Sequence, residues 1–210
     1  MPAGAAFGAL GACDLQLPGQ GPPPRLFVLS PKSTFPEDLP TVDWQLTVEV
    51  PTAAANLDTT RISLQRASYE YQYYASANWT DRAPTLVQTL IIESFENSDR
   101  IVAVGRESLG LRADFVLKSE LREFQEIYVG QPAGGAPEVH VRLVGRLVQM
   151  PQRAIVGAGS FERKIVAASD TLESIVAAFD EALGKVLKDL VVWALVTGEE
   201  VELLETRRNR

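Results

Sequence analysis

One cysteine and one histidine in 210 residues remove several kinds of chemistry at the outset. A lone Cys13 cannot close an intrachain disulfide, so cross-links do not hold this fold together. A lone His140 cannot supply the several His and Cys ligands of a structural zinc site, and any Ser-His-Asp triad would have to use it. No stretch reaches the roughly 20 apolar residues of a membrane-spanning helix. The longest candidate is "LVVWALV" at 190–196. Positive charge is scarce too: 20 Lys and Arg against 27 Asp and Glu give a net charge of -7. Binding to nucleic acid needs clustered basic side chains and a positive field, so that class of partner is excluded. The one local basic cluster, "TRRNR", reads as a solvated tail at 206–210.

What is present suits a single globular domain. Hydrophobic residues make up 46% and charged residues 22%, enough to build a core. The N-terminal tract "MPAGAAFGALGA" carries no charge and is followed directly by Cys13. Leu10-Gly11-Ala12-Cys13 matches a bacterial lipobox: an aliphatic residue, two small ones, then a thiol able to take a diacylglycerol group. "DLQLPGQGPPPR" follows, polar and rich in Pro and Gly, as a tether between anchor and domain would be. No Lys or Arg precedes the apolar tract, where a secretory signal carries a basic segment. The chain therefore divides into a signal-peptide remnant (1–12), an anchor and tether (13–24), a folded domain (25–205) and a basic tail (206–210).

Periodicity predicts the elements. "RLFVLSP" reads as a strand ended by proline, and Trp44–Val50 alternates, with Trp44, Leu46, Val48 and Val50 on one face. Short strands are expected around Arg61–Arg66 and through the aromatic "SYEYQYYASANW". A helix follows, capped by Thr80 or Asp81, with Pro84 in its first turn and a stripe of Leu86, Val87, Leu90, Ile91 and Phe95. After the Asn97-Ser98-Asp99 turn comes the strand "IVAVGR". A long strand, "LRADFVLKSELREFQEIY", falters near Lys118–Leu121, which predicts a bulge. "EVHVRLVGRLVQM" and "AIVGAGSFERKIVA" complete a meander. The clearest helix starts after Ser169 or Asp170, carries Glu173 in its first turn and runs along Ile175, Val176, Phe179, Leu183, Val186, Leu187, Leu190 and Trp193. Gly198 is expected to end it, with "EVELLE" as a short closing strand. The fold class is α+β: one domain, a mostly antiparallel sheet and two main helices.

No constellation of residues points to catalysis, to a metal or to a cofactor. His140 reads as a half-exposed strand residue. "GAGSF" places its serine outside the G-x-S-x-G pattern and opens no helix, so it is neither a nucleophile elbow nor a phosphate loop. Glu120, Glu123, Glu199 and Glu200 lie in exposed patterns with nothing to perturb their titration. The remaining candidate is an aromatic surface of Tyr69, Tyr71, Tyr73, Tyr74 and Trp79. Exposed clusters of this type favour protein interfaces, and equally these rings fit ordinary sheet and core positions.

Several stretches together resemble the ABC-type transport auxiliary lipoprotein family: the lipobox, "PPPRLFVLSP", "LTVEVP…LDTTRISLQR", "YEYQYYASANWTDRAPTLVQTLIIESFENS", "LRADFVLKSELREFQ" and "IVAAFDEALGKVLKDLVVWAL". The most specific piece is Tyr73-Tyr74-Ala75 with Trp79 and Pro84, followed by Ala113-Asp114 and Phe124. The likeness covers about residues 25–196. It implies a non-catalytic lipoprotein facing the periplasm, acylated at Cys13 and held in a membrane, the outer one favoured. Its implied partners are an MCE-domain protein and the ABC transporter of a system that moves phospholipids or other hydrophobic molecules. A homo-oligomer of this chain is a further expected partner. The alternative is a carrier holding an apolar ligand in its own cavity between sheet and helices.

Overall fold

The computed structural model describes residues 23–107, 112–128 and 135–208. Cys13, with the lipobox and nearly all of the tether, lies outside the described residues. Among these, nine strands and two helices follow in the order β1 (Arg25–Phe27), β2 (Val42–Val48), β3 (Thr52–Ala53), β4 (Arg61–Ala67), β5 (Glu70–Trp79), α1 (Ala83–Glu96), β6 (Ile101–Gly105), β7 (Phe115–Ile127), β8 (Glu138–Gln149), β9 (Ala154–Val166) and α2 (Leu172–Arg208).

Strand β7 is the spine of the sheet. One of its edges pairs with β8, and β8 with β9, in two long antiparallel ladders. Its other edge is shared end to end by three segments that all run parallel to it. These are β2 beside Phe115–Leu117, β3 beside Glu120–Leu121 and β4 beside Gln125–Ile127. β6 extends the sheet beside β2, while β5 and then β1 extend it beyond β4. The domain is thus α+β with a mixed, mostly antiparallel sheet, as expected. Its parallel joins are short because each is made by a chain segment returning through a crossover.

Alternation along β7 and β8 sends Phe115, Leu117, Leu121, Phe124, Val139, Val141, Leu143 and Leu147 to one face, all of them buried. Helix α2 lies against β8 and β9 on that face, and α1 packs against α2, β2 and β6. The expected stripes of both helices are the ones that meet the sheet: Leu86, Val87, Leu90, Ile91 and Phe95 from α1, and Ile175, Phe179, Leu183, Val186, Leu187 and Leu190 from α2. At the centre, Trp79, Phe124 and Phe179 contact one another with ring centroids 5.1–5.5 Å apart. Each fully buried side chain of this kind stabilises the fold by about 1.5–3 kcal/mol.

Five local expectations change. First, α2 does not stop at Gly198 but continues to Arg208, so "EVELLE" is helical and the helix runs on through the exposed Thr206–Arg208. Glu and Leu are good helix formers, and Gly198 is there because a Cβ would lie 2.5 Å from Trp44 Cζ2. Second, α1 has no side-chain cap. Arg82 takes the capping position, Ala83 N–H donates to Thr59 O at 3.0 Å, and the Asp81 carboxylate accepts from Arg82 N–H at 2.6 Å. Third, neither Ser169 nor Asp170 caps α2. Thr171 O accepts from Ile175 N–H at 3.0 Å, while Ser169 Oγ bonds Thr171 Oγ1 and Asp170 accepts from the Tyr128 hydroxyl. Fourth, the bulge in β7 falls between Leu121 and Glu123, with Arg122 the extra residue. Fifth, β2 ends at Val48, leaving Val50 exposed, whereas Thr47 is buried between β6 and β7.

Candidate functional site

The same alternation sends the other half of β7, β8 and β9 to the face opposite the helices. Register sets these side chains in rows across the three strands: Val116–Val148–Ile155, Lys118–Arg146–Ala158, Glu120–Val144–Ser160, Glu123–Arg142–Glu162 and Gln125–His140–Lys164. Most charges in the last three rows have partners. Glu162 Oε1 lies 2.7 Å from His140 Nε2, and its Oε2 lies 3.8 Å from Arg142 Nε. Lys164 Nζ is 3.4 Å from Glu138 Oε1, and Arg122 Nη2 is 3.0 Å from Glu120 Oε2. The hydrogen bond to His140 holds the Glu162 carboxyl below the usual carboxylate range, and the one from Arg122 does the same for Glu120. His140 itself is buried by these neighbours, not half-exposed as its place in the strand suggested. Paired charges near the surface contribute little each to stability. They keep this part of the face polar and self-satisfied.

The first two rows differ. They floor a groove of about 710 Å³ whose walls carry Arg112, Lys118, Arg146 and Arg153 together with Glu49, Glu107 and Asp114. Two of those carboxylates are engaged: Glu49 accepts from Lys118 Nζ at 2.7 Å and Asp114 from Gln45 N–H at 2.8 Å. Arg112, Arg146 and Arg153 make no ion pair among the described residues. Arg153 closes the β8–β9 turn at φ 57°. Glycine adopts that left-handed conformation without penalty, and other L-residues take it at a cost of about 1–2 kcal/mol.

The tyrosines cluster at the other end of β7, beside β4 and β5. Tyr69, in the turn between these strands, is fully exposed, and Tyr71 is 41% exposed. Tyr73 is half-buried, its hydroxyl donating to Asn56 O at 3.1 Å and its ring covered by the Arg61 guanidinium. The expected surface does not extend further. Tyr74 follows Tyr73 directly in β5, so strand alternation sends it to the helix side. There its hydroxyl donates to Glu126 Oε2 at 2.8 Å. Trp79 is 1% exposed and belongs to the core, so it cannot meet a partner.

Glu126 is the group that sequence reasoning missed. It is fully buried, and its Oε1 has no hydrogen-bond partner among the described residues. Burial raises its pKa above the ordinary 4.5, opposed by the adjoining hydroxyls of Tyr128 and Tyr74, of which Tyr74 donates to it. Burial likewise raises both tyrosines. The cluster ties β5, β7 and the start of α2 together, with the Tyr128 hydroxyl donating to Asp170. Only Glu126 in it is fully buried; Tyr74 and Tyr128 are half-buried and Asp170 is exposed. Among the described residues, no three His, Cys, Asp or Glu side chains are grouped to hold a metal ion. Nor is any helix there long and apolar enough to cross a membrane.

A family model described as ABC-type transport auxiliary lipoprotein component matches residues 27–191. The chain belongs to that family. Members of the ABC-type transport auxiliary lipoprotein family are thus its relatives, and their name describes an accessory of transport carried on a lipoprotein. An uncharacterized protein of Bradyrhizobium diazoefficiens is 29% identical over 161 residues, which are 74% of this chain and 41% of that protein. The chain therefore spans about two fifths of the length of the curated relative it matches. Among solved structures, protein XCC0632 from Xanthomonas campestris superposes with a TM-score of 0.80 at 29% identity, over 85% of this chain and 98% of that one. A second, an uncharacterized protein 12% identical, superposes at 0.60 over 81% of this chain and 97% of its own, a likeness of fold alone. The family match ends inside α2, so the last turns of that helix lie beyond it.

Proposed function

We propose that this chain is a non-catalytic lipoprotein component of an ABC transport system of the MCE type, which moves phospholipids or other hydrophobic molecules between membranes. The match to the auxiliary lipoprotein family over residues 27–191 carries the reading. In it, the Cys13 thiol takes the lipid. A diacylglycerol with a further acyl chain gives the two or more chains that stable anchoring requires. The Pro/Gly-rich tether, about 3.3–3.6 Å per residue when extended, then lets the folded domain stand up to roughly 40 Å from the bilayer. The domain faces the periplasm, with the outer membrane favoured, and contributes docking surfaces and no chemistry. The exposed Tyr69 and Tyr71 at the tip of the β4–β5 hairpin form one such surface.

The test is fractionation of cells expressing the protein with its native upstream region, beside Cys13→Ser, followed by co-purification with the MCE-domain protein and ABC transporter of the same system. The expected result is a wild type that takes up labelled palmitate and sediments with membranes, a soluble serine variant, and recovery of the transport proteins with the wild type. A soluble, unlabelled wild type sinks the anchoring. A labelled wild type that recovers no transport component sinks the assignment to the transport system.

A further inference from the structure

The groove at the Phe115 end of the helix-free face has two adjoining rows of opposite character. Val116, Val148 and Ile155 form an apolar row across three strands, and Ile155 is 63% exposed. With strands about 4.8 Å apart, that row is roughly 10 Å long. The next row, two residues along each of β7 and β8, holds Lys118 and Arg146, and the turn that closes β8 and β9 adds Arg153. Lys118 is neutralised by Glu49, whereas Arg146 and Arg153 make no ion pair among the described residues. Elsewhere on the same face, Arg122, Arg142 and Lys164 each have a carboxylate. Two guanidiniums without an ion pair stand beside an aliphatic row in which Ile155 is exposed, Val116 half-buried and Val148 buried in the groove floor. Of the carboxylates in the same lining, Glu49 is held by Lys118 and Asp114 by the Gln45 N–H, so, beside Glu107, the two arginines make a local site for negative charge attached to an apolar chain in a protein of net charge -7. Arg153 sharpens the point: it holds a left-handed backbone at φ 57°, where glycine would fit with less strain.

We propose that this groove binds an anionic amphiphile, its alkyl chain along Val116, Val148 and Ile155 and its phosphate or carboxylate headgroup on Arg146 and Arg153. The inference rests on the transport reading for what such a ligand does there, since it names the class of cargo the component meets. A peptide fits this site poorly. Val116 and Val148 belong to strands whose backbone groups are bonded on both sides, so an extended chain laid along the row would find main-chain partners only at the β9 edge, outside the cationic row.

The test uses the 210-residue chain carrying Cys13→Ser, so that no detergent competes, titrated calorimetrically with dodecyl phosphate below its micellar concentration. Saturable one-to-one binding is expected, weakened at least tenfold by Arg153→Gly and by Arg146→Gln and unchanged by Lys188→Gln on α2. Arg153→Gly relieves backbone strain, so its thermal midpoint is expected to match or exceed that of the parent. Lost binding then cannot be put down to unfolding. Absence of saturation, equal binding of a neutral dodecyl glucoside, or equal binding of inorganic phosphate overturns the proposal. So does binding of poly-glutamate in place of dodecyl phosphate, which would assign the groove to an acidic protein. Membrane fractionation and co-purification read nothing from the groove. Dodecyl phosphate binding with no transport partner therefore removes the transport reading and keeps the site, and the converse result removes the site alone.

Discussion

Gly198 sits in the middle of a long helix, where glycine costs about 1 kcal/mol relative to alanine. The packing of Trp44 makes it the residue that fits. Gly198→Ala would place a methyl 2.5 Å from Trp44 Cζ2 and 2.9 Å from Cε2. The expected outcome is a net loss of about 1–3 kcal/mol in urea denaturation, overpacking outweighing the propensity gain. Trp44→Phe removes the fused ring and also the buried Nε1 that lacks a partner, so the double variant is expected to regain part of the loss. Strict additivity of the two changes would show that the contact does not govern the site. Trp79→Ala, at the centre of the aromatic cluster, is expected to cost about 3–5 kcal/mol and to unfold the domain near physiological temperature. Glu126 bears on pH. Its folded pKa is raised, so the stability it contributes is fully present below about 4.5 and is lost as pH climbs through the folded value. Glu126→Gln, which keeps an acceptor for Tyr74, should match the wild type at pH 4 and exceed it at pH 7 in denaturation midpoint. An equal difference at both pH values would exclude the carboxyl as the cause.

At the scale of elements, the amphipathic stripes of α1 and α2 and the alternation of β7 and β8 were legible because each face meets one kind of surroundings. The errors have a common form. Thr80 and Asp81 look like caps, yet Thr59 O from a distant loop receives the Ala83 N–H and frees α1 from needing one. Tyr74 looks like part of the aromatic surface, yet as Tyr73's neighbour in the strand it turns to the opposite face and meets Glu126. The end of α2 follows the same logic. Leu203 and Leu204 are exposed there, and Glu202 is raised by burial and by the carboxylates of Glu205, Asp114, Asp43 and Glu199. Truncation after Gly198 removes like charge together with little buried area. It is expected to cost under roughly 1 kcal/mol, a shift of a few degrees in the melting midpoint. A loss of several kcal/mol would show that the final turns are part of the core.

For the whole molecule, β7 and β8 are bonded along both edges and lie under the helices, while among the described residues β1, β6 and β9 each have one edge without a partner strand. Native-state hydrogen exchange should therefore be slowest in β7 and β8 and fastest in β1 and β6. Protection of β1 equal to that of β7 would contradict this ordering. The sequence by itself determined the class of fold, the two helices and their buried stripes, the long meander and the family, because these follow from composition, from local periodicity and from motifs that need no partner to be read. Only the tertiary structure decided which segments share the edge of β7, that Trp79 is core, that Glu126 is buried, and that an apolar row and a cationic row lie side by side on the open face. Those facts depend on register between strands far apart in the chain, and a shift of one residue there would exchange the two faces without changing a letter of the sequence.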